Sequence, residues 1–213
     1  MGCTRSPFSG GLQCCAFCTG PVNPDVIPPM PMEIEIHNYL SCSHRLETER
    51  GEWDSIVILD SCLDESEFVA QHSRNSLQLR FDDITAPAPN KIAPNEAMIA
   101  AALNFGMATD KLIVCCRAGQ SRSSATAFTI AYEKHGAEDA LKLLNPKRHS
   151  PNYRILQLAD EILDRPGILN SYDEWGMKIG DVRLTDYLDE IESEYDDLES
   201  IGASDRISGQ TPA

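Results

Sequence analysis

Lys111-Leu-Ile-Val-Cys-Cys-Arg-Ala-Gly-Gln-Ser-Arg-Ser-Ser124 reads as a buried strand, a tight turn and the first residues of a helix. The run 111–115 is short and apolar, as a strand covered on both faces requires. In an open α/β sheet, ligands collect at the carboxyl ends of strands. A turn from such a strand into a helix leaves backbone N–H groups unpaired, and they favour a bound anion. Cys116 opens this turn and Arg122 closes it, with five residues between. Gly119 lets the chain bend there and approach a ligand closely. A ring of N–H donors beside an arginine favours the thiolate, which is the nucleophilic form of cysteine. Arg122 can grip two phosphoryl oxygens at once, as lysine cannot. The loop also matches a transition state whose charge is spread over three equatorial oxygens. Arg117, Ala118, Gly119, Gln120, Ser121 and Arg122 form the candidate substrate-binding set, and Ser123 is placed to hydrogen-bond the Cys116 sulfur as a leaving group.

Outward from this loop, strands alternate with helices. Residues 32–37 alternate as a strand does, 55–60 form a β-branched buried run, and 77–81 alternate again. Helices are expected at 95–107, 121–135, 137–144 and 153–163, with Gly136 ending the second of these. This order predicts an α/β domain at 32–170 with a mainly parallel central sheet flanked by helices. Asp83 ends a strand and opens the proline-bearing loop 84–94, which suits a general acid carried toward the site. Asp82 is the alternative acid, but strand alternation turns it the other way.

The bulk properties narrow the partners. The 213 residues carry a formal charge of -15, which argues against nucleic acid and anionic lipid as main partners. Residues 173–213 hold 12 Asp/Glu against 3 Lys/Arg, a net of -9, so the remainder of the chain is far less acidic. That tail (171–213) carries one amphipathic helix with Leu184, Leu188, Ile191, Tyr195 and Leu198 along one face. Docking on its own domain is the simpler reading, and a partner is the other. Residues 1–31 are irregular and rich in proline, and they begin with a Met1-Gly2-Cys3 myristoylation-like template that no polybasic patch supports. No apolar run is long enough to span a membrane, and no secretion signal is evident, so reduced thiols in the cytoplasm are expected. Cys14-Cys15-x-x-Cys18 is half a zinc pattern without its complement, and His44, His72, His135 and His149 are scattered. Neither a metal nor a cofactor is expected.

Cys116-Arg-Ala-Gly-Gln-Ser-Arg-Ser123 resembles the C-x-x-G-x-S-R-S signature of the dual-specificity and related protein-tyrosine phosphatases. The resemblance implies Cys116 as nucleophile, Arg122 as phosphate ligand, and an aspartate roughly 33 positions before the cysteine as general acid. Asp83 lies 33 positions before Cys116 (116 − 83). Phe81-Asp-Asp-Ile84 and Ser150-Pro-Asn-Tyr153 are similar to segments of small bacterial members, and the likeness covers about 32–165. It departs at Cys115, where the family usually has a histidine that orders the loop; a cysteine on a buried strand is otherwise a small core residue. A phosphoprotein or phosphopeptide is the implied substrate. A catalytically weak phosphate-binding module of the same fold, or a rhodanese-like sulfurtransferase, is the competing reading.

Overall fold

Four parallel strands and eight helices are present in the computed structural model, which describes residues 32–164, 167–180 and 184–209. In chain order they are β1 (Glu33–His37), α1 (Tyr39–Thr48), β2 (Asp54–Leu59), α2 (Glu67–His72), β3 (Ser76–Arg80), α3 (Glu96–Met107), β4 (Lys111–Cys116), α4 (Arg122–His135), α5 (Ala137–Lys142), α6 (Tyr153–Leu163), α7 (Ile168–Ile179) and α8 (Leu184–Ser200). The sheet order is β1-β4-β2-β3, with every pair parallel. Every residue of β2 is buried, as expected for a central parallel strand whose two faces are both covered.

Alternation along the strands divides the core in two. Ile56, Ile58, Leu112, Val114 and Cys116 face one layer with Phe128 and Ile130 of α4, Ile99 of α3 and Ile155 of α6. Val57, Leu59, Ile113 and Cys115 face the other, with Tyr39, Cys42 and Leu46 of α1 and Val69 of α2. The neighbours β1 and β4 thus send their following helices to opposite faces of the sheet. Their carboxyl ends mark a crevice at a topological switch point.

Close packing sets the spacing of α3 and α4, since a Cβ at Gly106 would lie 2.6 Å from Ile130 Cδ1. The buried threonines of α4 stay satisfied within the helix. Thr126 Oγ1 donates to Arg122 O and Thr129 Oγ1 to Thr126 O, both at 2.9 Å.

The helices α1, α2 and α7 add to those expected from periodicity. α7 runs across position 170, and its Tyr172 and Trp175 pack on the first core layer, so the ordered fold continues past the expected boundary. On α8, Leu188 is exposed, whereas Ile191, Tyr195 and Leu198 are half-buried. Beyond α8 the chain returns to α1, where Arg206 N donates to Ser43 Oγ at 3.0 Å and Ile207 is buried in the second core layer. The expected irregular leader at 1–31 lies outside the described residues, as do Gly2 and the cysteines before Cys42. Among the described residues no helix is long and apolar enough to cross a membrane.

The amino end of the sheet is latched by Asp54. Arg74 holds its carboxylate with two bonds, at 3.0 and 2.6 Å, and Asn75 Nδ2 and the Thr109 hydroxyl also donate to it. Burial alone would raise this carboxyl, but those hydrogen bonds outweigh it and hold the group at about 2. An unfolded aspartate titrates at about 3.9. The latch therefore stabilises the fold fully above that value and is lost as pH falls toward 2. Asp54→Asn should cost about 1–3 kcal/mol in urea unfolding at pH 7. The gap from the unmodified protein should shrink between about pH 4 and pH 2.

Candidate active site

The loop after β4 turns under a tight steric limit. Gly119 has φ +67°, and a Cβ there would fall 2.7 Å from Asn38 N and 2.8 Å from the His37 carbonyl carbon. Only glycine fits so close a backbone crossing. The segment before α6 supports the loop from another side: Ser150 N donates to Gln120 O, and Asn152 N donates to Ser121 O, each at 3.1 Å. Those bonds occupy loop carbonyls. None of the hydrogen bonds among the described residues uses the backbone N–H of Ala118, Gly119, Gln120 or Ser121.

Cys116 ends β4 almost fully buried, with its Sγ 3.2 Å from Ser123 Oγ in the first turn of α4. Arg122, at the start of that helix, is only 4% exposed. Its Nη1 donates to Phe81 O at 2.8 Å and its Nη2 lies 2.6 Å from Asp60 Oδ1. Its Nε is buried with no hydrogen-bond partner among the described residues. Burial opposes the charge, but the Cys116 sulfur and the Asp60 carboxylate outweigh it and raise the guanidinium pKa. Arg122 is thus a permanent cation within reach of the sulfur's charge, with Nε unpaired among the described residues.

Asp83 is exposed, and its Oδ1 accepts from Ser121 Oγ at 2.8 Å and from Asn152 Nδ2 at 2.6 Å. The proline-bearing loop is thereby tied to the turn holding Cys116. Asp82 points into a different set of contacts: Ser61 Oγ at 2.5 Å, Ile92 N at 2.8 Å and Lys91 Nζ at 3.0 Å. Burial raises its carboxyl, yet these bonds prevail and hold it at about 2, so it carries no proton to donate near neutral pH. It staples the loop that presents Asp83.

These groups share one cleft of about 340 Å³. Cys116, Arg117, Ala118, Gln120, Ser121 and Arg122 line it together with Asp60, Asp82, Asp83, Ile84 and Lys91. Of the residues expected from sequence, Gly119 and Ser123 do not line it. Gly119 packs against the β1–α1 turn, and Ser123 is buried behind the sulfur. Arg117 reaches outward, 72% exposed, with Nη1 3.5 Å from Asp60.

Cys115 points away into the second core layer beside Cys42. Burial pushes its thiol up, with Cys42 adding to the effect, and both are free thiols. Among the described residues no group of three or more His, Cys, Asp or Glu side chains is placed to hold a metal.

Two residues of the site escaped the sequence reading. Asp60 is the first charge after an apolar strand, at the carboxyl end where ligand groups gather, and that position was its only signal. Asn152 stood only within the Ser150-Pro-Asn-Tyr153 likeness, with no role attached to it. Its Oδ1 accepts from Arg154 N and Ile155 N, while its amide nitrogen holds Asp83.

No known family model matches the chain, and no curated protein matches it. Among solved structures it is similar to PTPMT1 in complex with PI(5)P at 15% identity, covering 67% of this chain and 94% of that one, with a TM-score of 0.42. It is also similar to Tk-PTP in the active form at 15% identity, covering 64% and 95%, with a TM-score of 0.43. A further structure of PTPMT1 gives 18% identity, 67% and 95% coverage and a TM-score of 0.40.

Removing the Asp60 charge should loosen Arg122. Asp60→Asn is expected to lower the stability of the fold by about 1–3 kcal/mol in urea unfolding at pH 7, the worth of a charged hydrogen bond left unmade at a buried guanidinium.

Proposed function

We propose that this chain is a cysteine-dependent phosphatase that hydrolyses phosphotyrosine, and phosphoserine or phosphothreonine as well, through a cysteinyl-phosphate. The observation that carries the reading is the Cys116 sulfur set 3.2 Å from Ser123 Oγ, in one cleft with the buried, unpaired edge of Arg122. The motif resemblance supports the same assignment.

In the first step the Cys116 thiolate attacks phosphorus and the ester P–O bond breaks. The free loop amides and the Arg122 edge take the charge of the equatorial oxygens. Asp83 gives its proton to the leaving oxygen. In the second step water attacks the cysteinyl-phosphate, Asp83 takes the water proton, and the S–P bond breaks. The Ser123 hydroxyl donates to the departing sulfur, which leaves as thiolate, and inorganic phosphate is released.

The substrate in this reading is a phosphoprotein or phosphopeptide, and no cofactor takes part. A nucleophilic thiolate must stay reduced, so the cytoplasm is the proposed compartment. Cys115 faces the core and touches neither the sulfur nor the loop in this reading, so its replacement of the family histidine leaves the nucleophile in place.

Hydrolysis of p-nitrophenyl phosphate by the unmodified protein, Cys116→Ser and Asp83→Ala tests the proposal. Cys116→Ser should fall to background while still binding inorganic phosphate. Asp83→Ala should lose about 10²- to 10⁴-fold on phenyl phosphate, a poor leaving group, and less on the activated ester. Robust turnover by Cys116→Ser contradicts the mechanism. An inactive unmodified protein that binds phosphopeptide points to the binding module.

A further inference from the structure

The acidic helix α8 sets its carboxylates against the segment between α5 and α6. Glu190 Oε1 lies 3.7 Å from Lys147 Nζ, and its Oε2 accepts from Asn145 Nδ2 at 3.4 Å. Glu194 is bound more closely. Its Oε2 lies 2.6 Å from Arg148 Nη1 and accepts from Asn38 Nδ2 at 3.0 Å.

Both partners of Glu194 reach the loop that holds Cys116. A Cβ at Gly119 would meet Asn38 N at 2.7 Å and Arg148 Nη2 at 3.0 Å. Asn38 also caps α1, accepting from Ser41 N at 2.8 Å through its Oδ1. Two residues beyond Arg148, Ser150 begins the pair of backbone bonds that hold the Gln120 and Ser121 carbonyls. One carboxylate on α8 therefore joins the two segments between which the turn at Gly119 is fixed.

Arg148 makes that carboxylate costly to lose. Its side chain is 13% exposed, and Nε and Nη2 are buried without a hydrogen-bond partner among the described residues. Glu194 is its one ion-pair partner among the described residues. A guanidinium left unpaired there must move toward water, and Gly119 packs against it. The helix is anchored at its far end, since Ile207 is buried beside Cys42 and Cys115. At its near end Tyr187 has its phenol pushed up by burial, with the charges of Arg148 and Cys116 also reaching it.

We propose that α8 belongs to the catalytic unit, with Glu194 a positioning residue that acts through Arg148 and Asn38 to hold the Cys116–Arg122 loop in its anion-accepting form. The kinetic consequence rests on the phosphatase reading above; the anion-binding consequence does not.

The test uses the full chain with inorganic phosphate as probe, followed by isothermal titration, beside kcat and KM for p-nitrophenyl phosphate. Glu194→Ala should weaken phosphate binding about tenfold and lower kcat/KM by a matching factor. Glu194→Gln keeps an acceptor for Asn38 but no charge for Arg148, and should fall between. Glu192→Ala makes the same charge change at an exposed position of α8 and should match the unmodified protein. Should Glu194→Ala fail to fold, Glu194→Gln decides. Phosphate binding by a folded Glu194 variant as tight as that of the unmodified protein, or tighter, overturns the proposal. An unmodified protein that binds phosphate but hydrolyses nothing sinks the phosphatase reading and leaves this comparison intact.

Discussion

A single buried guanidinium organises the carboxyl ends of the strands. Arg122 begins α4, yet its Nη1 and Nη2 are spent on Phe81 after β3 and Asp60 after β2. A charge taken this far from water is tolerated only when paired and hydrogen-bonded. The pairing uses two of its nitrogens and leaves Nε without an acceptor among the described residues. The charge of this guanidinium and that of the Cys116 sulfur act on each other, and both residues line the cleft after β4. In the function proposed above, the partners that satisfy this cation are also what hold it ready for an oxyanion.

Adjacent cysteines show how strand geometry separates roles. Cys115 and Cys116 are chemically alike and neighbours in sequence, but the period-two alternation of β4 sends them to opposite faces. Cys115 meets Cys42 in an apolar layer that disfavours ionisation. Cys116 lies at the strand end, beside a hydroxyl and a guanidinium. One residue of register separates a thiol in the core from one that lines the cleft.

The parts legible in the sequence were those whose chemistry is contiguous. Residues 111–124 carry strand, turn, cysteine, glycine and arginine in one run, and the alternation of elements around them pointed to the α/β class with its parallel sheet. Asp83 stood out because it lies between an alternating run and a proline-rich loop, although β3 itself stops at Arg80. The rest depends on contacts that are remote in the chain. Asp60 meets Arg122 only because β2 and β4 are neighbours, and Asn152 meets Asp83 across 69 positions. Glu194 looked like one more acid on a solvated helix, since nothing local reveals that Arg148 and Asn38 wait beneath it. The helices α1, α2 and α7 were missed for a plainer reason: α2 is six residues long, and α1 is polar along much of its length. α7 lies where the acidic tail was expected to begin.

The most direct test of the proposed function is to find the phosphoryl group on the protein. The protein would be mixed with an aryl phosphate, quenched in acid during steady turnover, digested and analysed by mass spectrometry. The account predicts one added phosphoryl group on the peptide containing Cys116, bound through sulfur and absent from the Cys116→Ser protein. Turnover with that peptide unmodified, or with the phosphoryl group on another side chain, would contradict it.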